Sequence, residues 1–407
     1  MGVQVQGKAN KGILLTIAVL FLSLINIDVG LSNVALGDIF KAFPNVEPTL
    51  ITMMVTLPLF IMIPVSILSG RLCYYFSKNI LLSVGLVLYV IGGMSGSFFN
   101  GSIYQLLATR AILGIGAGIA APLGTAIIGE LFNEVERAKM LGWSNSFGSV
   151  MSILLTLGAG ALCVINWKYT FLAYGIFLIV VIIQAIALPK LPPEKAYKTE
   201  VASSGISVQE FKGVAFSVLG LVISIIAVML AGSLMMFKLA IFIMERGIGD
   251  AVTTANAFNC YSVGTILTGV VFMQVYKKLG RFTVPVSLVL MSLTYFITVN
   301  ASSQWMIYLG MLLNGIGGGM FIPYMFTRAT MVGSKAIKGL VIGLVYQGLF
   351  FGQVLGTFVE PTLKFFFGIQ PIEFIFTFGG IAYGVYMIIS LLWIFLAPET
   401  KSEAFSS

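Results

Sequence analysis

Long apolar runs separated by short polar breaks dominate the pattern of hydrophobic and polar positions along this 407-residue chain. A helix needs about 20 apolar residues to cross a bilayer. The runs are continuous rather than alternating, which excludes a membrane β-barrel. The pattern predicts an all-α membrane protein with twelve transmembrane helices. We place these spans at 12–37, 48–72, 79–98, 103–130, 140–165, 168–188, 213–244, 251–276, 282–300, 304–331, 338–363 and 371–397.

The longest polar break, at residues 189–212, separates six predicted spans from six. A glycine- and proline-containing pattern in the fourth span recurs in the tenth. The two copies are Gly114, Gly116, Gly118 and Pro122, and Gly315, Gly317, Gly319 and Pro323. We therefore expect two pseudo-symmetric six-helix bundles, residues 1–188 and 213–407, joined by a cytoplasmic linker. Because small residues at helical spacing let membrane helices approach closely, we interpret both patterns as packing surfaces.

The 23 Lys and Arg residues predict the orientation of the chain. They gather in the breaks on one side of the predicted membrane, and the breaks on the other side contain only Lys41, Lys168, Arg246 and Lys364. The positive-inside rule then places both termini in the cytoplasm, and we expect the cell inner (cytoplasmic) membrane. The first run is followed by eleven more and has no A-x-A site, which indicates a retained span rather than a cleaved signal.

Composition narrows the function. Only 9% of the side chains are charged and 58% are hydrophobic, against about 25% charged in soluble domains. The net charge of +8 is scattered between apolar stretches, which argues against a nucleic-acid partner. There is no His, and Cys73, Cys163 and Cys260 stand singly, so the sequence offers no metal-ligand spacing and no disulfide framework. We expect no cofactor, no metal and no enzyme activity; the expected partners are a small-molecule substrate, protons and the lipid bilayer, with the protein a monomer.

Three ionisable residues lie inside the predicted spans: Asp28, Arg110 and Lys238. A charge at the bilayer centre costs about 2.5–3.5 kcal/mol by insertion scales, so it needs a partner or a wet cavity. All three lie roughly 10–13 Å from the outer ends of their spans, at the helical rise of 1.5 Å per residue. An Asp28–Arg110 ion pair is geometrically possible, and protonation of Asp28 would release the arginine. The alternative is that Arg110 is a static brace for the first span.

Lys238 also has two interpretations. Its long stem can carry the ammonium to the outer interface, or it can face a central site. Met311 occupies the position related by the repeat to Arg110, so we expect no matching ion pair in the second half. Lys238 would then be an uncompensated cation that suits an anionic substrate. Glu360, beside Pro361 near the end of the eleventh span, is expected at the membrane interface.

Polar residues at membrane depth can line a cavity or bond neighbouring helices. We expect a central cavity between spans 1, 4, 7 and 10. The candidate lining residues, besides Lys238, are Asn33, Asn256, Asn259, Asn314, Tyr324, Tyr346 and Gln347.

Three short motifs carry a resemblance to a known family. Asp28 precedes Asn33-Val-Ala-Leu in the first span, Arg110 precedes Gly114-Ile-Gly-Ala-Gly in the fourth, and Trp167-Lys-Tyr-Thr-Phe opens the sixth. Over essentially its full length the chain resembles the major facilitator superfamily, and it looks most like the drug:proton antiporter branch. The resemblance implies that Arg110 takes part in proton coupling, and we expect Asp28 to take up the proton.

The resemblance implies proton-coupled export of a small hydrophobic compound by alternating access, in which the two halves rock about a central site. Two alternatives stay open. One is uptake or exchange of an organic anion. The other, of a different class, is a membrane sensor or lipid-handling protein on the same fold.

Overall fold

The computed structural model describes residues 13–22, 28–132, 134–189, 191, 208–332, 335–368 and 371–396. These residues form α-helices and short 3₁₀ segments, with no β-strand among them. The α-helices are α1 (Ile13–Leu22), α2 (Asp28–Ala42), α3 (Pro48–Tyr75), α4 (Lys78–Ser95), α5 (Ile103–Leu131), α6 (Glu134–Ile165), α7 (Phe177–Ala187), α8 (Val208–Glu245), α9 (Ala251–Leu279), α10 (Thr283–Val299), α11 (Gln304–Met331), α12 (Lys335–Gly356), α13 (Val359–Phe367) and α14 (Ile372–Leu396). The 3₁₀ segments are Trp167–Ile176, before α7, and Gly280–Phe282, between α9 and α10.

Helical segments occupy all twelve predicted spans, and the all-α membrane fold is confirmed. Within the described part of the chain, eight helical stretches are long and apolar enough to cross a bilayer, or nine when one bent helix pair is taken as a single span. One of the eight, Ala251–Val299, contains both the eighth and the ninth predicted span. The first span comprises α1 and α2, and residues 23–27 between them lie outside the described residues.

Polar residues in the breaks fix where several helices begin. The Asp250 side chain accepts a hydrogen bond from the backbone N–H of Thr253, while the Thr253 side chain accepts one from the backbone N–H of Asp250. This reciprocal capping satisfies donors that a helix start otherwise leaves free. Ser77 caps α4 and Asn166 caps the 3₁₀ segment without this reciprocity. Each side chain accepts one hydrogen bond from a backbone N–H.

The chain divides into two compact units. The first comprises Met1–Val46 and Met53–Val201, and the second Glu47–Thr52 and Ala202–Ser407. The principal division falls between Val201 and Ala202, inside the expected linker at 189–212. Because residues 192–207 lie outside the described part of the chain, the bounds of the linker stay a prediction.

The repeated glycines bring helices together in the same way in both units. In the first unit, a Cβ on Gly114 would lie 2.8 Å from the Cα of Pro58 in α3, and one on Gly116 would lie 2.7 Å from the Cα of Tyr89 in α4. In the second unit, Gly315 stands against the backbone of α9 and Gly317 against the backbone of α10. The interpretation of these glycines as packing surfaces is therefore confirmed.

We expect Gly116→Ala to lower the stability of the protein by about 1–3 kcal/mol, because the new methyl group must displace the backbone of α4. A matched control is Gly158→Ala in α6, where a Cβ would meet no heavy atom within 4 Å. That change removes a glycine from a helix interior and is expected to be neutral or stabilising by up to about 1 kcal/mol. Thermal unfolding of the two purified variants in detergent measures the difference; equal unfolding midpoints would contradict the packing role of Gly116.

Candidate functional site

Arg110 is completely buried in the first unit, near the start of α5. Its Nη2 donates hydrogen bonds to the carbonyl oxygens of Gly92 and Gly93, at 2.9 and 2.8 Å. Its Nη1 donates a longer one, of 3.4 Å, to the hydroxyl of Ser32 in α2. Nε has no hydrogen-bond partner among the described residues. One guanidinium thus connects α2, α4 and α5.

The two carbonyls belong to the last turn of α4, which ends at Ser95. The final four carbonyls of a helix lack partners within it, and the C-terminus carries partial negative charge. Arg110 therefore satisfies acceptors that would otherwise be buried and unpaired. A static brace is one consequence of this geometry, and it acts chiefly on α4 rather than on the first span.

Aromatic rings from the 3₁₀ segment cover the rest of the guanidinium. Its central carbon lies 4.8 Å from the ring centroid of Phe171 and 5.2 Å from that of Tyr174. The Tyr174 and Ser32 hydroxyl oxygens are 3.0 Å apart and share a hydrogen bond. Cation–π contacts and carbonyl dipoles stabilise the positive charge without neutralising it. Among the side chains that the structure describes, no carboxylate forms an ion pair with Arg110.

Asp28 is the first residue of α2, but its side chain is not among those described. The Asp28–Arg110 pair therefore stays a prediction. The backbone register is informative, since Ser32 follows Asp28 by one helical turn and residues four apart share a helix face. Asn33 also lies in α2; it is 1% exposed, and its Oδ1 has no hydrogen-bond partner within the described part of the chain.

Lys238 is paired, which contradicts the expectation of an uncompensated charge. It lies in α8 and forms an ion pair with Glu360, which stands in the first turn of α13. The side chain of Lys238 is 7% exposed and that of Glu360 is 27% exposed. The prediction of an uncompensated Lys238 was wrong, because the comparison of the repeats tested only the position equivalent to Arg110. The partner comes from a different span.

The other candidates lie in the second unit and differ in their surroundings. Asn259 is buried and neither of its amide atoms has a partner among the described residues; Gln347 likewise has an unpaired Oε1. The Tyr324 ring packs against Tyr276, and the Tyr346 ring packs against Phe350. Asn314 is buried and Asn256 is half-buried. Their role in lining a cavity stays a prediction.

Four contributors to the Arg110 site were not selected from the sequence: Ser32, Gly92, Gly93 and Tyr174. Phe171 was noted only as part of a motif. A sequence signal existed for Ser32, because it lies one turn from Asp28 on α2. No signal identified the two glycines, whose backbone carbonyls, not their side chains, do the binding. In the described part of the chain no cluster of three or more His, Cys, Asp or Glu could hold a metal.

Two helical units with repeated packing and charged groups buried at membrane depth define a multi-pass membrane protein. Residues 13–284 match the family model described as Major Facilitator Superfamily. The chain belongs to this superfamily.

Individual relatives match over short stretches. The chain is 26% identical over 123 residues to the multidrug transporter protein MdtP of Bacillus subtilis, covering 29% of this chain and 23% of that protein. It is 27% identical over 128 residues to the arabinose-proton symporter of Escherichia coli K12, covering 31% of this chain and 27% of that protein. The matched stretches thus span about a quarter of the length of these relatives.

Solved structures are similar over nearly the whole chain. A D-xylose-proton symporter superimposes with a TM-score of 0.73 at 18% identity, covering 96% of this chain and 98% of that one. The nucleoside transporter NupG superimposes with a TM-score of 0.72 at 13% identity, covering 93% and 98%. At such identities the likeness shows the shared fold alone.

Proposed function

We propose that this protein couples proton movement to the export of a small hydrophobic compound, in the manner of the drug:proton antiporter branch. The observation that carries the proposal is the fully buried guanidinium of Arg110. A charge that is desolvated in this way is costly unless something compensates it. Carbonyls and aromatic rings supply part of the compensation, and no described carboxylate supplies the rest.

Asp28 is the acid that we assign to this role. It lies one turn before Ser32, and Ser32 contacts both Arg110 and Tyr174. When ionised, Asp28 would complete the compensation of the arginine; when protonated, it would release it. A cation nearby makes the charged form of a carboxylate more favourable. Movement of Asp28 relative to Arg110 during the transport cycle would therefore bind and release a proton.

The relatives support proton coupling in general terms. One is named as a multidrug transporter and another as a proton symporter. The first-span and fourth-span motifs around Asp28 and Arg110 favour the exporter. We further propose that the protein is a monomer in the cell inner membrane with both termini in the cytoplasm, as the distribution of Lys and Arg indicates.

The test is transport into everted membrane vesicles that contain the protein and carry an imposed pH gradient. Hydrophobic cations, neutral compounds and organic anions are screened in parallel, with vesicles lacking the protein as the control. The proposal predicts gradient-dependent accumulation of at least one hydrophobic compound inside the everted vesicles. Accumulation that is indifferent to the pH gradient, or export of compound from the vesicles with protons, would contradict it.

A further inference from the structure

The Lys238–Glu360 pair is asymmetric. The lysine is almost entirely covered by protein, whereas about a quarter of the glutamate side chain is uncovered. Side chains of α-helices tilt toward the helix N-terminus, so the stem of Lys238 leaves α8 in the direction away from Glu245, the last residue of that helix. The lysine is the enclosed member of the pair and the glutamate is the accessible one.

The part of α8 that precedes Lys238 is held on two sides. Gly348, Gly352 and Gly356 of α12 lie one turn apart and let that helix press against α8, with Gly356 meeting Ser233. On another side, the hydroxyl of Tyr295 accepts a hydrogen bond from the backbone N–H of Met235 and donates one to the carbonyl of Ala231. The Tyr295 hydroxyl thus bridges the N–H of Met235 and the carbonyl of Ala231, which lie four residues apart along α8. The helix that carries Lys238 is therefore fixed by packing.

Glu360 is held differently. The helix pair of the eleventh span, Val341–Gly356 and Val359–Phe367, is bent by 40° at its break. Only Thr357 and Phe358 join α12 to the nine-residue α13, so the angle of α13 can change without unwinding either helix. The Thr357 hydroxyl is buried and has no hydrogen-bond partner among the described residues. Broken helices commonly form ligand sites in transporters.

Other charges surround the pair. On α8, Glu245 interacts electrostatically with Lys238, Glu360 and Glu373. Arg246, the residue that follows α8, pairs with Glu373 of α14 at 2.9 Å, and both are partly exposed. Lys364 is exposed on α13 itself. None of these groups is as enclosed as Lys238, so among the cations around this pair Lys238 has the strongest requirement for a nearby anion.

We propose that Lys238 is a binding site for the carboxylate of a small organic anion, and that Glu360 is its resident, displaceable counter-ion. A ligand carboxylate takes the place of the Glu360 carboxylate on the lysine ammonium, and the hydroxyl of Thr357 is a second donor at the break. Glu360 then moves outward with α13. The inference deepens the proposed function by giving the substrate a charge class, and rests on it only for the claim that the bound anion is transported.

The test uses purified full-length protein in detergent at constant ionic strength. Benzoate is the probe, benzyl alcohol is its uncharged analogue, and binding is measured as the concentration-dependent rise of the unfolding temperature. Four proteins are compared: wild type, Glu360→Gln, the neutral double variant Lys238→Met/Glu360→Gln, and Glu373→Gln as a matched acid control. Because the test measures binding without a pH gradient, its failure is separate from a failure of proton-coupled export.

If Glu360 occupies the lysine in nine of ten molecules, its removal raises the apparent benzoate affinity about tenfold. We expect this gain in Glu360→Gln, loss of the benzoate effect in the double variant, and wild-type behaviour in Glu373→Gln. We expect benzyl alcohol to change the unfolding temperature of all four proteins equally. Equal benzoate responses of the wild type and the double variant would overturn the proposal, and this comparison decides even if Glu360→Gln alone does not fold. An unchanged or weaker affinity in folded Glu360→Gln would overturn it as well.

Discussion

Replacement of Asp28 by Asn is expected to abolish accumulation driven by the pH gradient while leaving substrate binding and substrate exchange intact. Asn has nearly the same shape as Asp but cannot carry the proton, so the variant separates the coupling step from the binding step. Reconstituted vesicles measure both activities: accumulation under an imposed pH gradient, and exchange of labelled against unlabelled compound without one.

Asp38→Asn is the matched control, because Asp38 lies on the same helix, α2, nearer its C-terminal end. Its carboxylate accepts a 3.4 Å hydrogen bond from the Cys163 thiol in α6, and it lies outside the contacts of Arg110. We expect this variant to retain gradient-driven accumulation. If Asp28→Asn still concentrated the compound, the proton would have to travel through another residue.

Replacement of Arg110 has the second largest expected effect. Arg110→Met removes both bonds from the guanidinium to the carbonyls of Gly92 and Gly93. Each hydrogen bond to a charged group contributes about 1.5–3 kcal/mol, so the stability lost is expected to reach about 3 kcal/mol or more. Arg110→Lys keeps the charge but loses the planar fork that reaches two carbonyls. We expect it to fall between the wild type and Arg110→Met in unfolding temperature.

The two Arg110 variants also separate a coupling role from a brace. A coupling role predicts that folded Arg110→Met transports with an altered dependence on pH, while Arg110→Lys keeps more of the wild-type profile. A brace alone predicts two destabilised proteins with unchanged pH profiles. Arg246→Gln is the control for removing a cation, since its exposed pair with Glu373 is expected to contribute only about 0–1 kcal/mol.

Much of the fold could be predicted because the bilayer imposes a simple rule on the chain. Continuous apolar runs located the helices, and the repeated glycines located the helix crossings around α5 and α11. The bend in the eleventh span was missed: hydropathy is continuous from 338 to 363, although the helix ends at Gly356 and resumes at Val359. A continuous apolar run indicates that a segment lies in the membrane, but it does not indicate whether the helix is straight or bent.

The candidate site could be predicted only where burial of a charge gave a signal. Arg110 and Lys238 stood out because charges are rare at membrane depth. Their partners did not. Gly92 and Gly93 contribute backbone carbonyls, which every residue has. Glu360 stands near the end of its span, where we expected an interfacial acid rather than the partner of Lys238. The pairing of Lys238 with Glu360 depends on how α8, α12 and α13 pack, which no local pattern specifies.

Proton release tests most directly whether a proton on Asp28 is exchanged for substrate. The compound found in the vesicle screen is added to purified protein in weakly buffered detergent solution, and a pH indicator records the protons released on binding. We expect proton release from the wild type and from Asp38→Asn, and none from an Asp28→Asn variant that still binds the compound. Equal proton release from Asp28→Asn and wild type would contradict the account.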